Sequence, residues 1–228
     1  MTPYQYAGSE LEIFEQARNW KAYLRRSMRP YLAGSVLEVG AGLGANTRQF
    51  ASLSFDRWTC LEPDESLLRQ IEPGDRRELI AGDLSALDSS RRFDAILYID
   101  VLEHIADDSD ELRSAAAHLK PRGTLIVLSP AHPWLFTPFD QAIGHHRRYT
   151  RKSLQAAAPH FLHREKLIYL DSAGMLASLA NRLLLNQSMP TAAQIRTWDT
   201  FLVPCSRCID PLFFGAVGKS VLGVWRNV

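Results

Sequence analysis

Cysteine is scarce in this chain, three residues in 228, and Cys60, Cys205 and Cys208 are too unevenly placed to build a disulfide framework. That scarcity points to a reducing, cytoplasmic setting. A second CxxC to accompany Cys205-Ser206-Arg207-Cys208 is also missing, so a zinc site is not expected there and two partly buried thiols are. The most apolar run, Ala173 to Leu185, is broken by Asn181 and Arg182 and falls short of the roughly 20 residues a membrane-spanning helix requires. Met1 to Glu15 has neither a basic nor an apolar leader region and does not read as a secretory signal. Charge of one sign is lacking too, with 26 Lys+Arg against 25 Asp+Glu. Such a balance excludes a global pull toward nucleic acid or an anionic membrane and leaves only local patches. There is no internal repeat and no low-complexity tract.

What is present is the composition of one globular domain, 46% hydrophobic, long enough to bury roughly 70% or more of its unfolded surface. Leu11, Phe14, Ala17, Leu24 and Met28 share a helical face and predict one amphipathic helix ending before Pro30. After it, apolar runs alternate with helical segments. Ser35 to Gly40 reads as a strand, Leu43 to Leu53 as a helix, and Trp58 to Glu62 and Glu78 to Ala81 as further strands. Phe93 to Ile99 is a fourth strand, Asp108 to Leu119 a helix and Gly123 to Leu128 a fifth strand. This alternation predicts an α/β fold, a Rossmann-like three-layer sandwich with a mostly parallel sheet. Ligands of such sheets gather beyond the carboxyl ends of the strands, where Gly40 to Gly44, Glu62, Asp83 and Asp100 meet.

The sharpest signal is Glu38-Val39-Gly40-Ala41-Gly42-Leu43-Gly44, set between a strand and a helix. Glycines there allow close backbone approach and positive φ. Their spacing is GxGxG, whereas a pyrophosphate turn requires GxGxxG. Glu38, two residues before the first glycine, would repel a pyrophosphate and favour an ammonium or sulfonium. Glu62, 22 residues after Gly40, stands where a carboxylate accepts ribose hydroxyls.

Together with Cys60-Leu61-Glu62-Pro63-Asp64, Gly82-Asp83-Leu84, Phe93 to Ile105 and Leu119 to Pro130, the segment Val36 to Phe50 resembles the ordered motifs of the class I S-adenosylmethionine-dependent methyltransferases. The resemblance covers about residues 35–130. It implies a single domain with a seven-stranded sheet, the last two strands, Glu165 to Leu170 and Ser220 to Trp225, pairing as an antiparallel hairpin. It further implies that Glu38, Gly40, Ala41, Gly42 and Gly44, with Asn46 and Thr47 of the next helix, hold the methionine portion of S-adenosylmethionine. Glu62 and Pro63 would meet the ribose, Asp83 and Leu84 the adenine, and Asp100, Val101 and His104 the methyl side.

On this reading residues 1–34 are an N-terminal helical segment, 35–130 the cofactor core, and 131–228 the acceptor side with a helical insertion over 171–218. The insertion holds an amphipathic helix at Met175 to Leu185, and residues 130–150 form a long loop over the sheet edge. That loop carries the candidates for the second substrate. His145 or His146, with Tyr149, are the candidate bases, because imidazole titrates near neutral pH. His132 and Asp140 would contact the acceptor, and Arg147 and Arg148 would clamp an anionic group on it. Asp100-Val101-Leu102-Glu103-His104 is similar to an ExxEH pattern that holds a divalent metal in some O-methyltransferases, but has Asp at its first position; no metal is expected. The expected activity is methyl transfer to an oxygen or nitrogen of a small molecule, such as a sugar or lipid-linked intermediate, with no nucleic acid partner. The rivals are a metal-dependent O-methyltransferase acting on a polyphenol or RNA end, and a cofactor-binding partner protein without catalysis.

Overall fold

The computed structural model describes residues 10–180 and 189–228. Strands β1 (Ser35–Val39), β2 (Arg57–Glu62), β3 (Arg77–Ala81), β4 (Phe93–Ile99), β5 (Leu119–Pro130), β6 (His163–Leu170) and β7 (Ser220–Arg226) form one sheet in the order β3-β2-β1-β4-β5-β7-β6. β7 runs antiparallel to both neighbours and the other six strands are parallel. The last two strands pair antiparallel, as the resemblance implies, with β7 lying between β5 and β6. β1, β4 and β5 are almost wholly buried, as parallel strands covered on both faces must be. β5 begins earlier than its apolar run because Leu119 pairs with Phe93 across an irregularity in the ladder.

Helices α1 (Glu10–Glu15) and α2 (Arg18–Met28) replace the single helix expected at the N-terminus. The break has a long-range cause. The Asp199 carboxylate accepts from Asn19 N at 3.1 Å and Trp20 N at 2.8 Å, capping the free N–H groups of a new helix start from 180 residues away. α2 buries Trp20, Tyr23, Leu24 and Met28 against the sheet, and α1 is left to lean over the glycine turn.

Helix α3 (Ala45–Phe50) is shorter than predicted, and α4 (Glu65–Leu68) starts under an Asp64 cap. α5 (Asp108–Ala117) follows β4. The loop 130–150 contains a 3-10 turn (Pro133–Leu135) and helix α6 (Pro138–Ala142), whose capping box is Thr137 with Asp140; α7 (Arg151–Ala157) comes next. In the insertion α8 (Ser172–Ala180) covers the start of the expected Met175–Leu185 helix, and residues 181–185 lie outside the described residues. α9 (Ala192–Thr197), a π-helical turn (Trp198–Leu202) and α10 (Val203–Ile209) complete it. Cys205 and Cys208 sit three residues apart on α10, both exposed and not partly buried as expected. No helix among the described residues is long and apolar enough to cross a membrane.

Candidate active site

Beyond the carboxyl ends of β1, β4 and β5, with the insertion over it, lies a cavity of about 690 Å³. The glycine turn, Asp100 and His145 all open onto it. A wider polar depression of about 1200 Å³ adjoins it around Glu12, Arg18, Arg48 and Arg196; those side chains are solvated surface charges, so the chemistry belongs to the first cavity.

Gly40, Gly42 and Gly44 have φ of 67°, 53° and 71°, values that cost an L side chain roughly 1–2 kcal/mol. A Cβ at Gly40 would strike Val101 Cγ2 at 2.6 Å, whereas one at Gly42 would find only Leu11 Cδ1 at 3.8 Å. Gly40 is therefore a packing requirement and Gly42 an open backbone facing the cavity. Ala41 and Asn46 line the cavity beside it; Gly44 instead packs on Ile71 and opens α3.

The carboxylates divide into spent and available groups. Glu38 is buried and takes both the Thr47 hydroxyl at 2.5 Å and the Trp58 indole N–H at 2.8 Å on one oxygen. Burial pushes its pKa up to about 7 against those two bonds. Neither Glu38 nor Thr47 lines the cavity; the bonds on Glu38 Oε2 join β1, β2 and α3 behind the turn. Glu62 accepts from Gly42 N at 2.8 Å and Asp64 N at 2.9 Å, one bond on each oxygen, which ties the end of β2 to the glycine turn. Burial raises its pKa, opposed by those backbone bonds. Asp83 caps the turn Leu84–Ala86 through Ser85 N at 2.9 Å. Glu62, Pro63, Asp83, Leu84 and Val101 all stand at strand ends but outside the cavity lining.

Asp100 is the available acid. It follows β4 with φ of 54° and opens onto the cavity floor. The surrounding protein desolvates it and lifts its pKa to about 6, against the pull of His145, Lys219, Lys21 and Arg148. Glu103, three residues on, is 0% exposed, and among the described residues neither of its oxygens has a hydrogen-bond partner. Burial raises its pKa well above the carboxylate range, reinforced by Asp100.

On the acceptor side, Asp140 is committed to protein donors. It is 0% exposed and accepts from Thr137 N, the Thr137 hydroxyl, Arg148 Nε and Nη2, and His145 Nδ1 at 2.9 Å. Burial works to raise its pKa, but the bonds from His145 and Arg148 outweigh it and hold the carboxyl well below its usual range. The result is a histidine oriented by a buried carboxylate, with its Nε2 3.8 Å from Glu103 Oε1. His104 packs edge-on against His145, ring centroids 4.5 Å apart, and burial lowers its pKa to about 4, so it is a neutral imidazole at physiological pH. Glu103, His104 and His145 each offer one ligand atom, all within 4.8 Å of one another.

The remaining acceptor-side candidates lie elsewhere. His146 is exposed and contributes its backbone N–H to Glu103 O at 2.8 Å. Tyr149 is buried, and its hydroxyl donates to Asp108 at 2.6 Å. Arg147 pairs with Asp108 at 2.7 Å, and His132 packs on Tyr169 and bonds Gly218 O at 3.0 Å. None of the four lines the cavity. With Arg148 forked onto Asp140, neither arginine is a free anion clamp.

Other groups lining the cavity carry no sequence motif. Leu11 and Phe14 of α1 close it beside Lys21, which burial lowers to about 8, and Trp198 and Lys219 come from the insertion side. Lys21 is placed there by the Asp199 cap on α2, a contact no local pattern encodes.

A family profile described as a methyltransferase domain matches residues 12–183 of the chain. The chain is 32% identical over 133 residues to a demethylmenaquinone methyltransferase of Tropheryma whipplei (strain Twist), covering 55% of this chain and 54% of that protein. It is 32% identical over 107 residues to a ubiquinone biosynthesis O-methyltransferase of Azorhizobium caulinodans, covering 45% and 42%. The chain thus matches about half the length of these curated relatives. Among solved structures, a SAM-dependent methyltransferase from Archaeoglobus fulgidus shares the fold with a TM-score of 0.65 at 16% identity, over 95% of this chain and 97% of that one.

Proposed function

This chain belongs to the methyltransferase-domain family, with the S-adenosylmethionine-dependent Rossmann-like fold, and from that premise we propose that it methylates a hydroxyl oxygen of an apolar, ring-bearing small molecule. The cofactor, when bound, supplies an electrophilic methyl on a sulfonium. The residues present fit it. The bare Gly42 turn admits close approach, Asp100 offers a carboxylate to a cationic amine, and each Glu62 oxygen keeps a second lone pair for a ribose hydroxyl.

The observation that carries the acceptor half is the Asp140–His145 pair, 2.9 Å long, opening on the cavity that the glycine turn also lines. In-line transfer needs the nucleophile held near the methyl carbon, and much of the acceleration is orientation. A base is needed only when the nucleophile arrives protonated. His145 Nε2 takes the hydroxyl proton as the new O–C bond forms, while Asp140 holds the ring and balances the imidazolium. Leu135, Phe139, Ile143 and Trp198 form an apolar wall suited to a flat ring, in line with the quinone-pathway names of the relatives above. His145→Ala in the full chain is expected to lower kcat about 10²–10⁴-fold with S-adenosylhomocysteine affinity unchanged, while His146→Ala leaves both near wild type. Full turnover in His145→Ala would remove the base assignment.

A second reading has its own observation, the orphaned oxygens of Glu103 beside His104 and His145. Such a donor set suits a divalent cation, with Asp140 orienting the histidine ligand from behind. Activity abolished by EDTA and restored by one divalent metal would favour this reading over His145 as base.

A further inference from the structure

Lys219 is a charged group that the chemistry above leaves unused. Its side chain is 22% exposed and lines the cavity. Among the described residues its ammonium has one oxygen partner, Asp171 Oδ2 at 3.5 Å, beyond the usual range of an N–H···O bond. The ammonium also lies 3.7 Å from the centroid of the Trp198 ring, an attraction that positions a cation without using its N–H groups. Asp171 does not depend on the lysine. It accepts from Gly174 N at 3.0 Å, Trp198 Nε1 at 2.7 Å and the Ser206 hydroxyl at 2.6 Å. Burying a lysine is costly, and burial does lower its pKa, with Asp171 opposing. Its donors are held in place and only partly spent.

The sheet order says which ligand they face. Lys219 immediately precedes β7, whose Ser220 pairs with Pro130 of β5, and its carbonyl accepts from Ala131 N at 2.7 Å. β4 with Asp100 lies between β5 and β1, so the Lys219 backbone, at the start of β7, stands about two strand spacings, roughly 10 Å, from the end of β4 and about three, roughly 14 Å, from the glycine turn. That is the acceptor side of Asp100. With both loop arginines committed to Asp140 and Asp108, Lys219 is, among the described residues lining the cavity on that side, the cation with donors to offer.

Building on the proposed O-methylation, we propose that Lys219 anchors a carboxylate on the acceptor, so that the substrate class is hydroxylated aromatic acids, the ring against Trp198 and Phe139 and the hydroxyl toward His145. An ammonium is a compact charge with rotatable donors and accepts a carboxylate from several directions. Neutral rings of the same shape bind more weakly.

The test is calorimetry on the full chain saturated with S-adenosylhomocysteine and titrated with dihydroxybenzoate or with catechol. Wild type is expected to bind the carboxylate on the order of 10- to 100-fold tighter, the worth of one charged hydrogen bond. Lys219→Met erases that difference and leaves catechol and S-adenosylhomocysteine binding as in wild type, while Lys219→Arg keeps part of it. Three results overturn the assignment: no preference in wild type, an undiminished preference in Lys219→Met, or loss of S-adenosylhomocysteine affinity in that variant, which would move the lysine to the cofactor. Should Lys219→Met not fold, the wild-type preference and its partial retention in Lys219→Arg decide alone. A preserved carboxylate preference with no methylation of either probe would instead sink the O-methylation reading and leave the Lys219 subsite standing.

Discussion

The cofactor half and the acceptor half of this cavity are built by different means. At the ends of β1 to β4 the work is done by backbone N–H groups, bonded across adjacent strand ends or capped within a few residues. Gly40 and Ala41 N–H groups bond Leu61 O, Gly42 N bonds Glu62, and Asp64 and Asp83 cap the turns that follow them. The acceptor half is wired instead by buried aspartate side chains, Asp140 within its own loop and Asp171, Asp199 and Asp210 reaching across the chain. Asp140, Asp171, Asp199 and Asp210 are 0%, 0%, 6% and 3% exposed. Asp210 alone accepts from Tyr23 OH, Asp171 N and Ser172 N. The contrast teaches that a backbone-built site tolerates little change at few positions, whereas a side-chain-wired one is sensitive at residues distant from one another in sequence.

The largest effect that tests this contrast is at the glycines. Gly40→Val places a side chain at positive φ and into Val101, costing roughly 2–5 kcal/mol in stability together with cofactor binding. Gly42→Val meets open space, so it should abolish S-adenosylhomocysteine binding with a smaller loss of Tm. Equal stability losses in the two variants would break the distinction between packing glycine and ligand-facing glycine. Next in size is Asp140→Asn, which leaves Arg148 and His145 with a neutral partner and is expected to cost about 3 kcal/mol. It should lower kcat without weakening S-adenosylhomocysteine binding. An unchanged kcat would make Asp140 merely structural.

Legibility followed the same divide. The parallel strands, the glycine turn and Asp100 were readable because each depends on periodicity or on residues within a few positions of one another. Beyond Pro130, the pair Arg147 and Arg148 suggested an anion clamp, but nothing in their spacing tells that Arg148 folds back onto Asp140 while Arg147 turns to Asp108. His145 was separable from His146 only once β4 and α6 were placed, since both are equally plausible bases in one dimension. Lys219 and Trp198 were invisible as a pair because they stand 21 positions apart with helix α10 between them. Glu38 shows the converse: it sits where a ligand-facing acid was expected, and no local pattern told that Trp58 and Thr47 both donate to one of its oxygens.

That residue supplies the smallest and most discriminating effect. Burial raises the Glu38 pKa to about 7 from an ordinary value of 4.5. A folded-state pKa above the unfolded one means that the native form binds the extra proton between those values. Its contribution to stability is then full below pH 4.5 and lost as the pH rises toward 7, by no more than ~3 kcal/mol. Glu38→Gln keeps an oxygen for Thr47 and Trp58 but cannot titrate. Denaturant melts of wild type should show stability declining from pH 5 to 7, and Glu38→Gln should flatten that decline while S-adenosylhomocysteine affinity stays within a few fold. A strong loss of affinity with an unchanged pH slope would return Glu38 to the ligand and reverse its place in the comparison, because the cofactor half would then rely on a buried acid as the acceptor half does.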